Sequence, residues 1–184
     1  AARVGLREVV RELLGDRLTD PNISGRKRYT ALMSAAREGH AEVVRELLGD
    51  ERTDPNAING IRNTALIAAA RRGHTKSVRE LLRDGHIDPN VIDRFGDTAL
   101  IAAASEGRVE VVRELLRDGR INPNISDNEG WTELMWAVGI ESKDIQLALL
   151  RDRRVNRLTA EHLSRLSQSQ REFYKNISRE RSKR

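Results

Sequence analysis

Four histidines and 28 acidic side chains are the groups through which this 184-residue chain could do acid–base or metal chemistry, since it contains no cysteine. That composition removes disulfides, thiolate zinc sites and thiolate nucleophiles together, and it fits a reducing compartment. His40 and His74 each follow a glycine at matching places, where Leu6 and Arg108 stand in other copies of the same segment. A position that accepts Leu and Arg is a turn position, not a proton-transfer site. His86 and His162 stand alone, without the His-x-x-x-His spacing that would set two imidazoles on one helical face, so zinc is unsupported. No Gly-rich phosphate loop, Gly-x-Ser-x-Gly elbow or carboxylate pair outside the repeating pattern occurs. The expectation is a chain that is not an enzyme, with no catalytic residues, no metal and no cofactor.

The elements that must position any other functional residue are set by a thin supply of apolar material. Hydrophobic residues make up 38%, charged residues 33% and aromatics only 3%, so a core has to be built from Ala, Leu, Val and Ile. Lys and Arg number 33 against 28 Asp and Glu, a formal charge of +5, which favours acidic partners by long-range attraction. No stretch approaches the ~18 apolar residues of a membrane span, and the N-terminus lacks a charged region followed by an apolar one. An intracellular, cytoplasmic location without membrane association is expected.

The chain matches itself with a period of 34 residues. The copies read TALMSAAREGHAEVVRELL from Thr30, TALIAAARRGHTKSVRELL from Thr64, TALIAAASEGRVEVVRELL from Thr98 and TELMWAVGIESKDIQLALL from Thr132. Ahead of them, AARVGLREVVRELL matches the same unit from its sixth residue onward, so the chain starts inside a repeat. Thr followed by Leu and paired Ala, as at Thr64, Leu66, Ala69 and Ala70, predicts a short helix capped by the threonine hydroxyl. Gly73-His74 ends it. A second helix carries Val43, Val44, Leu47 and Leu48 on one side and leaves Glu42, Arg45 and Glu46 to solvent. Pro89, Asn90, Asp93 and Gly96 then supply turn chemistry for an extended finger over 87–97. One such helix pair cannot bury its own apolar face, but stacked pairs can, with small alanines letting the layers approach. A shorter Ala-rich helix would curve the stack.

This pattern resembles the ankyrin repeat, whose units read D-x-x-G-x-T-P-L-H-x-A-A-x-x-G-H-x-E-V-V-x-L-L. The resemblance covers residues 1 to about 156 and is specific, because several copies agree in register. It implies an all-α fold, an ankyrin-repeat solenoid of helix pairs with projecting finger loops and a C-terminal capping helix. The repeats would occupy 1–156, partial over 1–29 and full from 30, 64, 98 and 132, followed by a capping helix over 157–178 and a frayed basic tail over 179–184. Thr159 reads as the cap of that final helix, with Leu163, Leu166, Phe173 and Ile177 on one side.

Some positions depart from the family. Ala31, Ala65 and Ala99 stand where it usually has Pro, and Met33, Ile67, Ile101 and Met135 where it usually has His. The finger glycine is present as Gly96 and Gly130 but is replaced by Arg28 and Arg62. A left-handed Arg costs roughly 1–2 kcal/mol. Gly25 and Gly60 lie just upstream, so two finger shapes within one array are expected.

The resemblance also implies where a partner would lie: in the groove between finger tips and the exposed side of the first helices. On the fingers the candidate protein-binding residues are Arg26, Lys27, Tyr29, Ile61, Asn63, Arg94, Phe95, Asp97, Glu129 and Trp131. On the helices they are Ser34, Arg37, Glu38, Arg71, Arg72, Ser105, Glu106 and Trp136. Aromatic and Arg side chains at tips suit interface anchors, although Trp131 and Phe95 could equally fold back onto a neighbouring finger. The groove reads as basic over its first three units and acidic toward Asp97, Glu106, Glu129 and Glu133, a gradient that would orient a partner of opposite polarity. The function expected is a protein–protein interaction module, a monomer whose partner is another protein. Electrostatic nucleic-acid binding is the alternative, disfavoured because RDRRVNR and RERSKR are interrupted by Asp152 and Glu180 and every Arg-Glu-Leu-Leu helix interleaves its charges. An inert or engineered repeat scaffold is a further alternative.

Overall fold

A computed structural model describes residues 2–16, 18–25 and 28–181, with side chains over 7–16, 18–25 and 28–179. Among the described residues the regular structure is helical: α1 (Ala2–Gly15), α2 (Ala31–Arg37), α3 (Ala41–Leu48), α4 (Ala65–Arg72), α5 (Thr75–Arg83), α6 (Ala99–Ser105), α7 (Val109–Leu116), α8 (Glu133–Gly139), α9 (Lys143–Arg151), α10 (Ala160–Ser164) and α11 (Gln168–Arg181). The single β-bridge described, Ser126 to Thr132, lies in the fourth finger.

Each first helix starts where a threonine hydroxyl accepts the backbone N–H three residues on: Thr30 from Met33, Thr64 from Ile67, Thr98 from Ile101 and Thr132 from Met135. These caps satisfy donors that a helix of seven or eight residues has no spare turns to absorb. Left-handed Gly39, Gly73 and Gly107 turn the chain into the second helix. In the fourth unit Glu141 takes that left-handed place at φ 54°.

The helices stack in two layers, α2, α4, α6 and α8 in one and α1, α3, α5, α7 and α9 in the other, and α11 packs across α8 and α9. The core repeats as the sequence does. Leu32, Leu66, Leu100 and Leu134 are all at most 2% exposed, as are Leu47, Leu81, Leu115 and Leu149. Truncating one of these to Ala would cost ~2–5 kcal/mol, because neighbours locked in a stack cannot collapse into the hole.

Polar ladders tie the units together. The asparagine of each Pro-Asn turn donates its Nδ2 to a carbonyl of the next loop and accepts a backbone N–H from it. Asn22, Asn56, Asn90 and Asn124 do so to Arg52, His86, Arg120 and Arg154 and from Asp54, Asp88, Asn122 and Asn156. Arg52, Arg120 and Arg154 each clip an aspartate two residues before and reach back to carbonyls at the end of the preceding second helix, where a cation meets the negative end of the helix dipole. His86 holds this place in the second full unit, and among the described residues its side chain reaches only Asp84.

The C-terminal segment differs from expectation. Thr159 does cap a helix, completing a capping box with His162, but that helix stops after Ser164, and Ser167 opens a second one through a reciprocal bond with Gln170. Two helices, not one, close the array. Residues 179–181, expected to fray, continue α11.

Candidate protein-binding groove

Among the described residues the fingers share one hydrogen-bond pattern, which corrects the expectation of two finger shapes. In each, the first residue of the turn donates its N–H to the carbonyl four residues on, and a later N–H bonds back to it. The pairs are Gly25 with Tyr29, Asn59 with Asn63, Asp93 with Asp97 and Asp127 with Trp131. Arg28 and Arg62 occupy the left-handed position at φ 59°, within the well that L-residues tolerate, whereas Gly96 and Gly130 open to 84° and 76°. The turn did not migrate to Gly25 or Gly60, because stacking imposes the register: Arg94 N–H bonds the Ile61 carbonyl and Asn128 N–H bonds the Phe95 carbonyl, each at 3.0 Å.

Asn59, Asp93 and Asp127 each use Oδ1 to accept two backbone N–H groups within their own finger. The two aspartates use Oδ2 to pin the finger to the first helix. Asp93 takes Arg71 Nη2 at 2.8 Å, and Asp127 takes Trp136 Nε1 at 2.9 Å. Arg71 also reaches Asp97 at 3.1 Å. Burial pushes the Asp97 carboxyl above its ordinary value, and the Arg71 hydrogen bond opposes that push.

Several candidate residues are therefore occupied. Arg71, Asp97 and Trp136 brace fingers to helices. Trp131 packs on Trp136 with ring centroids 5.0 Å apart and lies under the Arg165 guanidinium, which also bonds the Glu129 and Gly130 carbonyls. The fourth finger is thus covered by the capping segment rather than presenting Trp131 as a tip. Asn63 is buried, and Ser34 and Ser105 bond carbonyls of their own helices. Glu133, expected at the acidic end of the gradient, is 2% exposed, and burial pushes its carboxyl up to about 8.

Candidates both occupied and open line one cavity of about 300 Å³ between the first three fingers and α2 and α4. Tyr29, Arg37, Ile61, Asn63, Ala68, Arg71, Arg72, Asp93 and Phe95 line it. Phe95 is 55% exposed with Arg94 stacked on its ring at 5.4 Å, and Arg37 lies over Tyr29 at 5.6 Å. Arg72 is exposed and has no ion pair among the described residues. Glu38, Glu106 and Glu129 are exposed, with Glu38 3.8 Å from Arg37 and Glu106 3.9 Å from Arg108. The charge gradient reduces to Arg37, Arg72 and Arg94 against Glu106 and Glu129. Arg26 and Lys27 lie outside the described residues.

A larger cavity, about 930 Å³, opens at the seam of α1 and α3, lined by Arg11, Glu46, Asp50 and Arg52 among others. Four of its charged side chains are already engaged with one another. Arg11 and Arg7 hold the Glu46 carboxylate down to about 2, and Arg52 grips Asp50 and the Leu14 carbonyl. It is a joint between units. Among the described residues no group of three His, Cys, Asp or Glu is gathered as a metal-binding cluster, and no helix is long and apolar enough to cross a membrane.

The sequence signals missed at the outset were periodic ones: Asn22, Asn56, Asn90 and Asn124, and Arg52, Arg120 and Arg154, recur at the repeat spacing and form the ladders that hold the fingers in register.

Stacked helix pairs with backbone-linked fingers define a helical repeat solenoid. A family model for ankyrin repeats, in three copies, matches residues 1–93 and again 85–159. The chain belongs to the ankyrin-repeat family. The crystal structure of EF0377, an ankyrin repeat protein, is similar with a TM-score of 0.79 over 93% of this chain and 90% of that one, at 24% identity. No curated protein matches the chain significantly. Ankyrin repeats are in general protein–protein interaction modules.

Proposed function

We propose that this chain binds a protein partner along α2, α4, α6 and the tips of the first three fingers, with Ile61, Arg72 and Phe95 at the centre of contact. The observation that carries this reading is the cavity beside Phe95, where an exposed aromatic ring and an arginine without an ion pair among the described residues adjoin Ile61 in a chain otherwise poor in aromatics. Such a combination suits a binding hot spot. Tyr29, Arg37, Asn63 and Arg94 complete the centre, and Ser34, Glu38, Ser105 and Glu106 extend it along the helices. No catalytic step belongs to this reading, and the partner is met as a monomer.

The test is retention of a protein from a cell lysate at physiological salt after nuclease treatment, compared with Arg72→Glu. Arg71 is left intact because its replacement would release the third finger from α4. Loss of the retained protein with Arg72→Glu supports the groove. Recovery of nucleic acid alone, falling steeply with salt, moves the assignment to electrostatic binding.

A further inference from the structure

The cavity between the first three fingers carries more than an address, because its polar and apolar parts are arranged for one kind of chain. Its apolar shelf is Ile61 and Phe95, 36% and 55% exposed, with the Tyr29 ring at one edge. Its cations are Arg72, exposed and without an ion pair among the described residues, and Arg37, whose neighbour Glu38 stands 3.8 Å away, too far for a strong bond. Arg71 and Asp93, which also face the cavity, neutralise each other.

The floor holds a third group. Asn63 is 8% exposed and its Oδ1 is buried with no hydrogen-bond partner among the described residues. Its side-chain amide enters no hydrogen bond there, although its backbone N–H is taken by Asn59. A buried amide left unpaired is costly, and rotation about its last torsion turns either its carbonyl or its NH₂ toward the opening. A peptide bond offers the matching donor and acceptor together, whereas a phosphodiester backbone offers acceptors alone.

Resting on the groove reading above, we infer that this cavity takes an extended acidic segment of a partner protein, with one bulky apolar side chain on Ile61 and Phe95, a carboxylate on Arg72 and a backbone amide against Asn63. The acidic surface at Glu106 and Glu129 sets the direction, repelling carboxylates from the far end of the groove. Replacing Arg72 by Glu reverses charge at the contact, and Phe95→Ala removes the larger part of the shelf without touching the turn, whose bonds come from backbone atoms and the Asp93 carboxylate.

The probe is a displayed library of random linear peptides selected against the full chain, followed by binding of the enriched peptide made synthetically. The expected consensus is Asp or Glu flanking Leu, Phe or Trp. Arg72→Glu and Phe95→Ala should each weaken that peptide about tenfold or more, while thermal melts of both variants stay at the wild-type value. Peptides that lack carboxylates but still lose affinity with Phe95→Ala overturn the acidic partner and leave the groove reading standing. Peptides indifferent to both substitutions, no enriched peptide at all, or capture of a single-stranded oligonucleotide in their place overturn both.

Discussion

Arg62 sits at φ 59°, a conformation that costs a β-carbon-bearing residue roughly 1–2 kcal/mol, and it does so because the ladder to Arg94 leaves the second finger no other register. Arg62→Gly should therefore raise stability by about 0.5–1 kcal/mol, the strain relieved less the extra freedom glycine gains unfolded. Chemical denaturation measures it, and a loss of stability would show that the Arg side chain has packing of its own. Gly96→Ala should go the other way, since a β-carbon there would lie 2.5 Å from the Asn128 backbone nitrogen. His86 is the second residue at odds with its repeat. His86→Arg restores the clip made by Arg52, Arg120 and Arg154, and should raise the melting temperature by about 2–4 °C; an unchanged melt would mean those clips follow the stack instead of supporting it. None of these roles is visible in local sequence. Arg28 and Arg62 looked incompatible with the finger because turn rules weigh one turn alone, and the stack outweighs them.

At the scale of elements, the repeat period made the helices, their threonine caps and their buried faces legible before any coordinates, since all are local and periodic. The joints between units were harder to read. Asn90 is a turn former by residue type, yet its side chain bonds Arg120 and Asn122 in the following loop at 2.8 and 2.7 Å. Asn90→Ala should cost about 1–3 kcal/mol, the penalty for stripping two inter-unit bonds, and amide exchange should rise first in the loop at 120–124. The last unit carries a pH dependence. Glu133, first residue of α8, stands where Ala31, Ala65 and Ala99 stand in other units, and burial raises its carboxyl from the ordinary 4.5 to about 8. Between those values the folded chain keeps a proton that the unfolded chain has released. Stability is then highest below about pH 4.5 as far as this group is concerned, and falls by up to ~1.4 kcal/mol per pH unit until about pH 8. Glu133→Gln should flatten that slope, and melts at about pH 6 and about pH 9 would check it. The end of the array reads as one helix in sequence because the apolar spacing from Leu163 to Ile177 is roughly helical throughout, and the Ser167–Gln170 reciprocal bond marks the break.

For the whole molecule, the sequence could not tell a residue left open to the groove from one that braces a finger. Arg71 and Arg72 are adjacent and identical in type, yet one is bound to Asp93 and Asp97 and the other faces the cavity. Trp131 and Phe95 share the finger-tip composition signal, yet the capping segment folds over one and leaves the other 55% exposed. The difference lies in distant neighbours, Asp93 for Arg71 and Arg165 for Trp131, beyond any local pattern. The molecule that results has a covered C-terminal finger, a second-helix face on which Arg11 pairs with Glu46 and Arg79 with Glu114, and a cavity between its first three fingers. Hydrogen exchange of the chain with and without its captured protein tests that layout most directly. New protection is expected in 59–63, 65–72 and 93–97; protection confined to α3, α5 and α7, with those segments unchanged, would contradict binding in the groove.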